Sequence, residues 1–164
     1  MTDGIEEVTR SEEEAGAVER SYRANASRLW HALLLFSASV DVADEALAEA
    51  FAQALARGDA IRNVDAWTWK AAFKIARGEL QKSRALATEV LPELPVEMPQ
   101  GTVDLVKALR SLAPRQREAL ILHHYAGYST KEIALVLGST SPAVAMLMDR
   151  GRRKLRSQLE ERDA

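Results

Sequence analysis

The chain has 164 residues, 47% of them hydrophobic, 28% charged and only 5% aromatic, which excludes wholesale disorder and fits one ordinary domain or two small helical ones. Without cysteine there is no disulfide framework and no thiolate metal site. The longest uncharged run, residues 29–40, is too short to span a bilayer, and the acidic N-terminus is unlike a secretory signal, so a cytoplasmic location is expected.

A net charge of −2 hides an uneven distribution. Residues 1–19 hold seven acids (Asp3, Glu6, Glu7, Glu12, Glu13, Glu14, Glu19) against Arg10. Residues 57–84 hold seven bases (Arg57, Arg62, Lys70, Lys74, Arg77, Lys82, Arg84) against three acids, and residues 150–156 hold five bases and no acid. Two basic segments on an otherwise acidic chain point to a polyanionic partner.

In chain order, residues 1–17 read as an acidic tail without periodicity, although Ser11-x-x-Glu14 has the form of a capping box. A long helix follows through Tyr22, Leu29, Trp30, Leu33 and Leu34 to about Phe36. Asp41 caps a second helix, in which Val42, Ala46, Leu47, Ala50, Phe51, Ala54 and Leu55 recur at helical spacing until Gly58-Asp59 breaks it. Asn63 caps a third, carrying Trp67, Ala71, Ile75 and Leu80 on one side and Lys70, Lys74 and Arg77 on another. That phase places Trp67 in the core and leaves Trp69 as the exposed aromatic. Pro92, Pro95 and Pro99 then forbid any helix through residues 88–102, an extended linker. A helix near 104–112 and another from Pro114 to about Tyr125 come next.

The last third carries the most specific pattern. Ser129-x-x-Glu132 is a capping box, the short helix after it buries Ile133, Ala134 and Leu137, and Gly138 suits a left-handed C-cap. Ser141-Pro142 opens the next helix, with serine as N-cap. Two helices joined by a short glycine-containing turn form the scaffold that sets its second helix in a DNA major groove, and that helix ends in the cations of Arg150–Arg156. The expected fold is all-α: two small helical bundles joined by a Pro-rich linker, with domains 18–87 and 103–162 and the second a helix-turn-helix.

Leu112-x-Pro114-x-x-Arg117-Glu118-Ala119-Leu120, then Gly127-Tyr-Ser-x-x-Glu132-Ile133-Ala134-x-x-Leu137-Gly138, resembles the −35-reading domain of small extracytoplasmic-function sigma factors of the sigma-70 family. Asp44-Glu45 with Phe51 resembles that family's polymerase-docking helix, and Ala66–Arg77 resembles its helix beside the −10 element. The resemblance implies polymerase docking by Asp44, Glu45 and Glu49, and −10 contacts by Arg62, Asn63, Trp69, Lys70, Phe73, Lys74 and Arg77. It implies −35 contacts by Lys131, Ser139, Thr140, Ser141, Arg150 and Arg153. It further implies core RNA polymerase and promoter DNA as partners, an anti-sigma factor as a possible third, and neither a membrane nor a small-molecule substrate. Aromatics interleaved with cations independently suit single-stranded DNA.

The chain departs from the family pattern at Ala48, Ala145 and Leu147, where polar or basic residues are usual. A recognition helix beginning Ser141-Pro-Ala-Val-Ala-Met-Leu-Met148 has few donors or acceptors for base edges. A stand-alone helix-turn-helix regulator and a sigma-like protein-interaction module therefore stay open. No nucleophile–base pair, phosphate loop or carboxylate dyad stands out, so no enzymatic activity and no cofactor are expected. His123-His124 lacks companion ligands for a metal.

Overall fold

The computed structural model describes the backbone of residues 3–85 and 98–163, and the side chains of residues 16–58, 60–83 and 98–161. Within these residues the chain is all-α. The helices are α1 (Asp3–Ser37), α2 (Val40–Arg57), α3 (Val64–Ala85), α4 (Gln100–Arg110), α5 (Pro114–Ala126), α6 (Thr130–Leu137) and α7 (Ser141–Asp163), with a 3-10 turn at Gly58–Ala60. No single helix among the described residues is long and apolar enough to cross a membrane.

The first helix is longer than its sequence suggests. α1 already runs at Asp3, so the acidic segment read as a tail is helical and Ser11 lies inside the helix rather than capping it. Acids near a helix N-terminus complement its dipole, which favours this extension. Ala38, in the left-handed region at φ 55°, turns the chain sharply into α2. The N-cap of α2 is Ser39, whose hydroxyl accepts from the Val42 amide at 3.2 Å, and Asp41 sits in the first turn instead. Asn63 caps α3 as expected, its side-chain oxygen accepting from the Ala66 amide. The linker expected over 88–102 falls mostly outside the described residues, but its last three residues, 100–102, already belong to α4.

The helix-turn-helix has the expected caps with one shift. Ser129 Oγ accepts from the Glu132 amide at 3.2 Å and Glu132 accepts from the Ser129 amide at 2.8 Å, closing the box. Gly138 adopts φ 61°, ψ 42°, a backbone state that glycine takes without strain. Thr140, not Ser141, caps α7, accepting from the Ala143 amide at 3.3 Å. Both residues are good caps, and Pro142 fits the second helical position as well as the first, since neither amide has an intrahelical partner. The axes of α6 and α7 meet at 99°, as a DNA-binding helix-turn-helix requires. Gly151 permits the close crossing of α7 on α5: a Cβ there would lie 2.9 Å from the Leu120 side chain.

The two expected bundles exist but share one core. Leu33, Phe36, Ala46, Phe51 and Phe73 fill the N-terminal part, Leu120, Ile133, Leu137, Val144 and Met148 the C-terminal part, and the buried cluster is continuous between them. α1 is the common wall, packing on α2 and α3 on one side and on α4 and α5 on the other. Phe36 sits at the junction, fully buried, 5.4 Å from the Phe73 ring with the Arg117 guanidinium 4.9 Å over its own. We expect Phe36→Ala to lower unfolding free energy by about 3–5 kcal/mol in urea titration, the range for a buried aromatic truncated in a packed core. A loss below about 1 kcal/mol would show that the junction is loosely packed.

Candidate nucleic-acid interface

Three surfaces carry the residues singled out in the sequence. The first is α2, whose outer face exposes Asp44, Glu45, Glu49 and the apolar Leu55, while Ala43, Ala46, Ala50 and Ala54 are buried. Asp44 is held by the Trp30 indole N–H at 2.7 Å and Glu49 accepts from Gln53 at 2.9 Å, so the carboxylates are partly ordered.

The second surface lies along α3 and the loop before it. Arg62 and Asn63 are exposed and, with Arg20, Ser21 and Asp65, line a shallow cleft of about 430 Å³. Asp65 takes hydrogen bonds from Ser21 and Asn25 of α1, which fixes the start of α3 against α1. Lys70 and Lys74 are exposed. The aromatics depart from expectation at Trp69, which with Phe73 is buried at 3% and 0% exposure, whereas Trp67 is partly buried against the core, with the Arg57 guanidinium 5.4 Å from its ring centroid. Two apolar stripes run along α3, and the buried one is Thr68/Trp69, Ala72/Phe73 and Ala76. Ala72 and Ala76 are small enough for a neighbouring helix to approach, and that signal could have decided the phase. Trp67, Lys70 and Lys74 therefore share the open face, at spacings that superpose on a helix.

The third surface is the helix-turn-helix. Lys131, Thr140, Arg150 and Arg153 are exposed, and Ser139 and Ser141 are half-buried. Arg153 pairs with Asp149 at 2.9 Å across one helical turn, an exposed pair that a phosphate could displace. Between the serines and Arg150 the open side of α7 presents Pro142, Ala145 and Met146, which offer base edges no hydrogen bond. Lys154, in the same basic run, turns back to the Ser111 carbonyl, and Gln158 accepts from the Ser111 hydroxyl at 2.8 Å. This tie of α4 to α7 was not visible in the sequence.

Arg77 points elsewhere. Its Nε lies 3.5 Å from Oε2 of Glu118 on α5, a carboxylate with no exposed surface. Neither Glu118 oxygen accepts a hydrogen bond among the described residues. Burial pushes its carboxyl up to about 7, with Arg77, Arg115 and Arg117 pulling the other way. Tyr128, which faces Trp69 with ring centroids 6.3 Å apart, is pushed up to about 12 by burial and by Glu132 and Asp65, against Arg28. His124 is lowered, by burial and then by its neighbours His123 and Arg152. Among the described residues no cluster could hold a metal ion.

The sequence profile of the family described as Sigma-70, region 4 matches residues 102–155, which span α5, α6 and most of α4 and α7. Residues 102–155 are thus similar to the sigma-70 region 4 family, in which the helix-turn-helix of α6 and α7 falls. Among curated proteins, the RNA polymerase sigma-E factor of Streptomyces antibioticus is 36% identical over 87 residues, 51% of this chain and 48% of that one. The sigma-E factor of Streptomyces coelicolor is 34% identical over 87 residues, 51% of this chain and 49% of that one. The chain spans about half the length of the curated relatives it matches. The fold is shared with the sigma factor RpoE in complex with the anti-sigma factor NepR from Bartonella quintana (TM-score 0.75, 22% identity, covering 87% of this chain and 96% of that one). It is shared also with CnrH in complex with the cytosolic domain of CnrY (TM-score 0.72, 20% identity, 94% of each chain).

The raised Glu118 carboxyl has a pH consequence with a definite sign. A group that binds its proton more tightly folded than unfolded stabilises the fold at low pH, and that contribution is lost as pH rises from about 4.5 to about 7. Glu118→Gln, which keeps the shape and cannot ionise, should therefore gain in melting temperature over the parent chain as pH rises from 5 to 8. The difference between the two proteins cancels the opposite effect of His124. A difference that stays constant across that range would show that Glu118 titrates as an ordinary carboxylate.

Proposed function

We propose that the chain is a sigma subunit of the extracytoplasmic-function type, which directs core RNA polymerase to promoters and assists strand opening in the cytoplasm. The observation that carries this reading is the pairing of a region 4 helix-turn-helix with an N-terminal bundle whose α3 exposes an aromatic–cation face beside a basic cleft. A regulator that reads only duplex DNA has no use for that second face.

In this reading α2 docks on the polymerase through Asp44, Glu45 and Glu49 around Leu55. Arg62, Asn63, Lys70 and Lys74, with Trp67 added, meet the −10 region, and Trp69 and Phe73, buried in the bundle, and Arg77, facing Glu118, support that face from behind. Lys131, Ser139, Ser141, Arg150 and Arg153 meet the −35 region, with Thr140 holding the helix start. The anti-sigma partner of the Bartonella RpoE suggests a protein inhibitor for this chain too. The direct test adds the purified chain to core polymerase and sequences the transcripts. Discrete start sites absent with core alone are expected. Sub-micromolar, sequence-specific binding to promoter duplex without polymerase, and no new start sites, would favour the stand-alone regulator.

Two residue-level predictions follow from the open faces. The double variant Lys70→Ala/Lys74→Ala should assemble with polymerase normally but form fewer open complexes. The log–log salt slope of opening should flatten by about 1.4, two single-strand phosphate contacts at roughly 0.7 each. Failure of the folded variant to assemble would move this face to the polymerase interface.

On α7, Arg150→Ala should weaken promoter use about equally for every −35 sequence, because phosphate contacts position without specifying. Ala145→Lys should sharpen −35 dependence by roughly 1–3 kcal/mol, one good base contact. Transcription from promoters with scrambled −35 elements measures both. Orders-of-magnitude loss for the parent chain on a single −35 change would show that its apolar helix already reads bases.

A further inference from the structure

The two sides of α7 differ in what they can touch. Val144, Met148 and Gly151 recur at i, i+4 and i+7 and are buried. Pro142, Ala145 and Met146 lie on the open side, Met146 with 54% of its surface exposed, so none of the three fills the core. None carries a hydrogen-bonding group beyond the weakly accepting Met146 sulfur. The polar residues before them are engaged or turned in: Thr140 accepts from the Ala143 amide at 3.3 Å, and Ser139 and Ser141 are half-buried. Asp149, the next polar residue on that side, is paired with Arg153 at 2.9 Å. We propose that this side of α7 reads methyl groups: Ala145 and Met146, with Pro142 beside them, contact the C5-methyl groups of thymines in the −35 duplex. The proposal rests on the sigma-subunit reading, which makes α7 the helix that enters that groove.

In a DNA-bound helix-turn-helix the N-terminal residues of the second helix meet the base edges, and Pro142, Ala145 and Met146 hold that position here. Donors and acceptors on a base edge need a polar partner, whereas the thymine methyl is the apolar group of the major groove. Setting Met146 against a methyl removes apolar surface of both from water. Setting it against a base amino or carbonyl group would leave that group without a partner. The stretch 142–146 rises roughly 6 Å along the helix axis. That is close to two steps of about 3.4 Å between stacked base pairs, so it covers one or two adjacent methyls. Ala145 is small enough to let the backbone approach the groove floor, and the unbranched Met146 adjusts to whichever strand carries the methyl. Arg150 and Arg153 follow with their charges for phosphate, which divides selectivity and anchoring along one helix. One buried methyl is worth about fourfold in affinity, so the resulting −35 preference is graded and shallow.

A methyl group can be added or removed without changing the base pair that carries it. Synthetic promoters, taken from start sites that the holoenzyme selects, are built with thymine, deoxyuridine, cytosine or 5-methylcytosine at each −35 position in turn. Transcription by core polymerase with the full chain is then compared. At one or two adjacent positions thymine and 5-methylcytosine should serve about equally, with deoxyuridine and cytosine both about fourfold weaker. Met146→Ala, a change at an exposed position, should abolish the difference at one of them, and Met146→Leu should keep it. The proposal is overturned if deoxyuridine serves as well as thymine throughout, or if 5-methylcytosine serves no better than cytosine. It is overturned also if Met146→Ala discriminates as the parent chain does. Absence of any start site would sink the sigma-subunit reading separately. In that case the chain alone is equilibrated at low salt with random duplex libraries made with thymine or with deoxyuridine. Preferential retention of the thymine library supports methyl reading, and equal retention of the two, or retention of neither, overturns it.

Discussion

The arrangement of the molecule depends on one awkward contact, the burial of the Glu118 carboxylate opposite Arg77 where the two halves of the chain meet. A lone carboxylate in such a place is expensive, and proteins accept it where the surrounding geometry demands it. Here the surroundings are supplied by both halves of the chain. Arg77, Phe36 and Trp69 come from the N-terminal bundle, while Arg117 and Tyr128 come from the C-terminal one. The relation between the halves is therefore set by electrostatics as much as by apolar burial, and so it is sensitive to what else those charges can find.

That sensitivity separates this junction from the purely apolar parts of the shared core on either side of it. Ile133, Val144 and Leu137 around the turn, or Leu33, Ala46 and Phe51 around α2, are apolar pairs whose separation gains nothing. Arg77 and Arg28 both have an alternative partner in water or phosphate.

Much of this was legible in the sequence, for physical reasons that can be named. Caps and breakers act locally, so Asn63, Ser129/Glu132 and Gly138 identified helix boundaries from their own chemistry. Where two nearby residues could both cap, as at Thr140-Ser141 and Ser39-x-Asp41, the local rule picked the wrong one. The exposed faces of α2 and α7 were readable because charge and solvent correlate. The α3 phase was harder, because Trp67/Ala71/Ile75 and Trp69/Phe73/Ala76 are equally apolar stripes, and only the small Ala72 and Ala76, where a neighbouring helix approaches, mark the buried one. The contact between halves was invisible for the same reason: Glu118 reads as one more charge on a helix until α3 is brought against it.

Helix α5 explains how a change at that contact can reach the recognition helix. Successive residues on a helix point about 100° apart, so four in a row address four directions. Arg115 donates to the Leu137 carbonyl at 2.8 Å and holds the end of α6. Gln116, with Leu120, forms the floor on which Gly151 of α7 rests. Arg117 reaches Phe36 of α1, and Glu118 faces Arg77 of α3. The first two bind the helix-turn-helix to α5 as one rigid piece, and the last two attach that piece to the N-terminal bundle. One turn of α5 therefore anchors both the helix-turn-helix and the N-terminal bundle, through neighbouring residues that face different ways.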